Sequence, residues 1–187
     1  MVKPTGGGIR TIAAWGNTGG SGTFFRLEGD NHLYLGQYNI AEFKKVRSEE
    51  ALVNNAWSHV AVVVENNVVS FYINGIYSVG AYINGASPMD NTFTPDNFKF
   101  GALEQASIKY NEAFDGLLDD LAFWTIARTA NQIKDETANG LTGMETGLWG
   151  YWDFKDNVET GASTADLSGS EHPLRIGGAV KIDLFSK

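Results

Sequence analysis

Hydrophobic residues along this chain fall into short runs, some alternating with polar residues and some continuous, each closed by Gly, Asn or Asp. That spacing belongs to strands and turns rather than to helices. Residues 11–15 read as a strand, GNTGGSG as a loop, 23–28 as a second strand and Gly29-Asp30-Asn31 as the turn into HLYLGQY. After Phe43 and Val46, the RSEEALVNN stretch reads equally well as a short helical turn or a loop. The pattern is clearest beyond Trp57-Ser58-His59, where VAVVVE runs to an Asn66-Asn67 turn, VVSFYI returns, and Asn74-Gly75 turns again into IYSVG. A strand sends successive side chains to opposite faces, so an uncharged VAVVV must be covered on both sides, which predicts stacked layers.

Tyr-Ile-Asn-Gly occurs twice, ending at Gly75 and Gly85. The first Asn-Gly suits a two-residue hairpin turn, whose central residues both need positive φ. The second comes too soon for another pair of full strands, and it marks the end of the returning strand and the entry to the SPMDNTFTPDN loop. FKFGAL and LLDDLAFW read as further strands on either side of a SIKYNEAF loop. Residues 129–136 form the one convincing helix, capped by Thr129 and anchored by Ile133. GLWGYWDF gives a last aromatic strand, followed by a polar loop and a final short strand. The expected fold is all-β, a two-sheet antiparallel β-sandwich with one short helix near 130–137. Residues 1–8, polar and Gly-rich, read as a disordered leader, and 9–187 as a single domain.

Composition sharpens this picture by exclusion. At 187 residues and 43% apolar content the chain is long enough for one substantial core, and 22 Gly against three Met and four Pro suit many tight turns. A net charge of −8 with 14 basic residues thinly spread offers no patch for a phosphate backbone, which argues against a nucleic-acid partner. Without Cys there is no disulfide framework, thiolate metal site or Cys nucleophile. The longest apolar runs, such as 60–64, are too short to span a bilayer, and MVKPTGGGIRT lacks the apolar core of a signal peptide.

Catalytic patterns are equally sparse. A retaining glycosidase needs two carboxyls about 5 to 5.5 Å apart, and the only acidic pair in a predicted strand, Asp119-Asp120, consists of neighbours that point to opposite faces. His32, His59 and His172 are far apart in sequence and lack zinc-site spacing. There is no Gly-x-Ser-x-Gly elbow, and GNTGGSG lacks the Lys and helix of a phosphate loop. The chain reads as a non-enzyme. Trp15, Trp57, Trp124 and Trp152 sit in strand patterns and read mainly as core, whereas Tyr34, Tyr38, Tyr77, Tyr82 and Tyr110 read as exposed. Together with loop Asn and Asp residues able to bond hydroxyls, they define a candidate ligand site of Tyr38, Tyr82, Asn84, Asp90, Asn91 and Tyr110.

The order of motifs resembles a known family. Trp57-Ser58-His59-Val60-Ala61-Val62, Phe71-Tyr72-Ile73-Asn74-Gly75, residues 114–124 (FDGLLDDLAFW) and Ala127-Arg128-Thr129 before a short helix are similar to the laminin-G-like, concanavalin A-like jelly roll, a group that includes pentraxins. LTGMETGLWGYWDF and DLSGSEHPLRIGGA continue the likeness, which covers most of 11–179. Members commonly carry a further strand before the one matched by 11–15, and the Gly-rich leader shows no counterpart. The resemblance implies a non-catalytic carbohydrate-binding or adhesion module, lectin-like, extracellular or at the cell surface, of bacterial origin and part of a larger parent chain with other domains. Its ligand would be a glycan or a cell-surface or matrix component. The alternatives are a structural or protein-interaction domain without a sugar site and, less favoured, a glycoside hydrolase or lyase. It also implies a structural calcium held by Asp119 and Asp166, with carbonyls around Phe114 and Ser168.

Overall fold

A computed structural model of the chain describes residues 1–17, 21–39, 42–83, 98–105, 108–155 and 161–177. In chain order its strands are β1 (Val2–Pro4), β2 (Arg10–Asn17), β3 (Ser21–Leu27), β4 (His32–Asn39), β5 (Glu42–Ala51), β6 (Val60–Glu65), β7 (Val68–Ile73), β8 (Ile76–Ser78), β9 (Gly80–Tyr82), β10 (Lys99–Phe100), β11 (Leu103–Gln105), β12 (Ile108–Asn111), β13 (Gly116–Leu118) and β14 (Leu121–Trp124). The helix α1 (Ala130–Asn139) follows, then β15 (Leu148–Trp152), β16 (Ser163–Thr164) and β17 (Leu174–Arg175). The fold is the expected mostly-β architecture with one short helix. The chain divides into two compact units, Met1–Leu118 with Ala127–Ala138, and Asp119–Ile126 with Asn139–Lys187.

In the first unit a six-stranded antiparallel sheet of order β10-β2-β3-β4-β5-β9 faces a three-stranded sheet, β6-β7-β8. Alternation builds the core between them: Phe25 and Leu27 of β3, Leu33 and Leu35 of β4 and Val46 of β5 meet Val69 and Phe71 of β7. Phe25 and Phe71 stack across the two sheets at 6.4 Å. The turns follow the sequence, with Asn66 and Asn67 at φ 49° and 63°, and Asn74 and Gly75 at 52° and 75°. VAVVVE is half-buried along its charge-free length, with Val60, Val62 and Val64 against the core. The second Asn-Gly pair lies outside the described residues.

Three expectations are corrected in the first unit. The leader is not disordered over its first residues: Val2 is fully buried, pairs with Leu118 of β13, and exchanges backbone hydrogen bonds with Ser58 on its other side. A buried valine with ladder partners on both sides orders the strand despite its glycine-rich sequel. RSEEA continues β5 because Ser48, fully buried, accepts the Leu33 N–H and donates to the Glu50 carbonyl, so tertiary bonds override local propensity. Within SIKYNEAF, β12 pairs with β11 where a loop was expected.

The helix begins as predicted. Gln132 N–H donates to Thr129 Oγ1, while the Thr129 N–H donates to Gln132 Oε1, a reciprocal cap. Thr137 of the same helix meets His59 Nδ1 at 3.0 Å, and Gly75 lies against Lys134 and Thr137.

In the second unit β14 pairs with β15 and β16 with β17. Trp152 is buried with its ring across Gly150, where a Cβ would come within 2.3 Å. LLDDLAFW is not one strand: Asp119 and Asp120 separate β13 from β14, with Asp120 at φ 48° and its N–H bonded to Asp119 Oδ1. No helix among the described residues is long and apolar enough to cross a membrane, which leaves membrane-spanning strands unaddressed.

Candidate functional site

The face of the six-stranded sheet turned away from the core carries different chemistry. Residues that alternate with the core positions place Phe24 and Arg26 of β3, Tyr34 and Gly36 of β4, and Phe43, Lys45 and Arg47 of β5 on it. The register sets Arg26 beside Tyr34, Tyr34 beside Arg47, and Gly36 beside both Phe24 and Lys45. Gly36 has a steric reason, since the Phe24 ring crosses it and would lie 2.0 Å from a Cβ. Phe43 stacks on Phe24 at 5.8 Å, and the Arg26 guanidinium sits 4.0 Å from the Phe24 centroid.

Arg26 ties two carboxylates together. Its Nη2 donates to Glu28 Oε1 at 2.7 Å and its Nη1 to Glu112 Oε2 at 2.9 Å. Lys45 Nζ donates to both Glu28 oxygens at 2.9 Å and lies 4.4 Å from the centre of the Tyr34 ring. Tyr34 Oη donates to Asp30 Oδ2 at 2.8 Å. Burial, then the hydrogen bond and charge of Asp30 and the charge of Glu28, push the Tyr34 hydroxyl up to about 12, with Arg47 opposing. Burial alone would raise Asp30, but the bonds from Tyr34 and the His32 N–H outweigh it and hold the carboxyl below its usual value.

Arg47 is held less firmly. It hydrogen-bonds the Tyr34 side chain, but its Nη1 comes only to 3.7 Å from Asp30 Oδ2 and its Nε is buried without a hydrogen-bond partner. Thr11 Oγ1, on the same face by its register with Arg26, is also buried and unpartnered. Phe43, at 50% exposure, is the accessible end of the aromatic stack.

Few of the residues predicted from sequence belong to this face. Asn84, Asp90 and Asn91 lie outside the described residues. The backbone of Tyr38 pairs with Phe43 and that of Tyr110 lies in β12, but their side chains are not described. Tyr82 pairs with Val46, and its hydroxyl donates to the Asn67 carbonyl at 3.1 Å. Tyr34, expected to be exposed, is buried beneath Lys45 because its hydroxyl closes on Asp30. Sequence reasoning missed Arg26, Glu28, Phe43, Lys45 and Arg47; the signal was present in the polar alternate positions of FRLEG and EFKKVR.

The proposed calcium ligands behave otherwise. Asp166, its side chain 1% exposed, accepts N–H bonds from Tyr151 and Ser168 on Oδ1 and from His172 on Oδ2. Burial would raise its pKa, but these bonds outweigh it and leave the carboxyl below its usual value. A carboxylate engaged in this way organises its loop and has little capacity left for a cation. Asp119 accepts the Asp120 N–H, and Tyr151 Oη donates to Asp120. Among the described residues no three His, Asp or Glu side chains group to hold a metal ion. Asp166 is thus engaged by three backbone donors, whereas Asp119 Oδ1 accepts one.

The strands define an antiparallel sandwich with a packed apolar inner face and a polar, aromatic outer face. The chain belongs to the Laminin_G_3 family, described as the concanavalin A-like lectin/glucanases superfamily, whose model matches residues 2–134. The match ends inside α1. No curated protein matches the chain. Among solved structures, a candidate carbohydrate-binding protein from Bacteroides ovatus superposes with a TM-score of 0.64 at 20% identity, covering 94% of this chain and 54% of that one. The likeness is one of fold, and the chain spans about half of that protein's length. Looser likenesses, which carry no argument, are a heptameric SAP-like pentraxin from Limulus polyphemus (TM-score 0.49, 18% identity, 75% of this chain and 68% of that one) and an S-layer domain-containing protein from Clostridium thermocellum (0.37, 25%, 73% and 66%).

Proposed function

We propose that the chain is a non-catalytic carbohydrate-binding module of a larger extracellular protein, and that its sugar site is the outer face of the six-stranded sheet. The observation that carries this reading is the combination on one face of an exposed aromatic ring, Phe43, with hydrogen-bonding groups on β4 and β5. Sugars need both, an apolar surface for their C–H faces and polar partners for their hydroxyls. The candidate carbohydrate-binding protein from Bacteroides ovatus, similar in fold, adds support.

A binding role is favoured over hydrolysis by the state of the carboxylates. Glu28 already accepts bonds from Lys45 and Arg26, which occupy the lone pairs that a nucleophile or base would use. The test is a glycan array followed by calorimetry on the purified chain. Binding of at least one saccharide is expected, weakened by Phe43→Ala without loss of the far-UV circular dichroism spectrum and without release of reducing ends. A silent array would leave the structural or protein-interaction role in its place, and turnover would restore the hydrolase.

A further inference from the structure

We infer that the saccharide recognised by this face carries a carboxylate, as a uronic acid does, with Arg47 as its anchor and Phe43 as its platform. The inference rests on the carbohydrate-binding reading above and deepens it.

Phe43, Lys45 and Arg47 occupy alternate positions of β5 and so project to one face, with Phe43 and Arg47 about 13 Å apart along the strand. Their cations differ in what they already hold. Arg26 and Lys45 are bonded to Glu28 and Glu112 at 2.7–2.9 Å. Arg47 is 38% exposed, hydrogen-bonds the Tyr34 side chain, and reaches Asp30 only at 3.7 Å, where Oδ2 already accepts the Tyr34 hydroxyl. Its Nε has no partner although it is covered. A guanidinium so placed keeps an unused donor at Nε while part of the side chain stays exposed to a ligand.

The shape of those donors selects the class. Two nitrogens of a guanidinium form a planar fork that two carboxylate oxygens satisfy in parallel, whereas a single sugar hydroxyl satisfies one arm. The charge on the face does not oppose an anion: Arg26, Lys45 and Arg47 balance Glu28, Glu112 and Asp30, although the chain as a whole is at −8. The exposed ring of Phe43, backed by Phe24, offers a rigid surface to a neighbouring sugar.

The experiment is an array holding uronate, sialylated, sulfated and neutral oligosaccharides, with each hit titrated against wild type, Arg47→Gln, Arg47→Lys and Phe43→Ala, all checked by thermal melt. Hits are expected to carry carboxylates, and methyl-esterifying them should abolish binding. Arg47→Gln should weaken them roughly tenfold to a hundredfold, the usual worth of a hydrogen bond to a charged group. Arg47→Lys, which keeps the charge without the fork, should fall between. Hits confined to neutral or sulfated sugars, or carboxylate hits indifferent to Arg47→Gln, would overturn the inference while leaving the carbohydrate-binding reading intact. An array without hits sinks both.

Discussion

The two faces of the six-stranded sheet are built from the same strands, one residue out of step, yet they solve opposite problems. Toward β7 the side chains are aliphatic or aromatic and exclude water; away from it Arg26, Glu28, Lys45 and Glu112 are largely covered too but neutralise one another through hydrogen bonds. Burial by itself does not mark a core. The inner face derives stability from area removed from water, and the outer face holds a fixed arrangement of donors, acceptors and rings.

Two phenylalanines give the largest contrast. Phe71 is fully buried in the inner face, so Phe71→Ala should lower unfolding stability by about 3–5 kcal/mol, measured by urea denaturation. Phe43 is half exposed on the outer face, and Phe43→Ala should cost well under about 1 kcal/mol because it leaves no cavity. Equal losses from the two variants would show that the outer face is a second core and not a binding surface.

Arg26 tests the network itself. Arg26→Met removes the donor shared by Glu28 and Glu112 while Lys45 still holds Glu28, and the expected loss is about 1–3 kcal/mol. Adding Glu112→Gln to Arg26→Met should recover part of that loss, because a neutral amide tolerates the missing guanidinium better than a carboxylate does. Strictly additive single and double variants would mean the pair is a solvated surface bridge of little consequence.

Much of the sandwich was legible because its signals are local. The Asn66-Asn67 and Asn74-Gly75 turns, the Thr129 cap and the alternation of VVSFYI depend on residues within a few positions of one another. Val2–Pro4 was missed because its order comes from Ser58 and Leu118, neither of which a short leader can announce. The outer face was half legible: alternation in EFKKVR exposes Phe43, Lys45 and Arg47 as one stripe, but only the register of β3, β4 and β5 brings Arg26 beside Tyr34, and Tyr34 beside Arg47. Tyrosines were favoured as ligand residues because their type suits sugars. Tyr34 and Tyr82 instead direct their hydroxyls to Asp30 and to the Asn67 carbonyl.

Asp166, in the second unit, extends the comparison to a carboxylate satisfied by backbone N–H groups, whereas Glu28 of the first unit is satisfied by side-chain cations. Its pKa is depressed, so its contribution to stability is present above the unfolded aspartate value of about 3.9 and is lost as pH falls through the folded value. Wild type should therefore lose melting temperature on acidification below about pH 4 more steeply than Asp166→Asn, whose amide does not titrate there. The variant should lose about 1 kcal/mol at neutral pH, because its amide meets the His172 N–H with a donor in place of the acceptor Oδ2. The smallest effect is the sharpest: with both oxygens already bonded, chelation or added calcium should leave the melting temperature of both proteins unchanged. A calcium-dependent rise in wild type that Asp166→Asn abolishes would make Asp166 a metal ligand, and would show that its loop exchanges backbone donors for the ion.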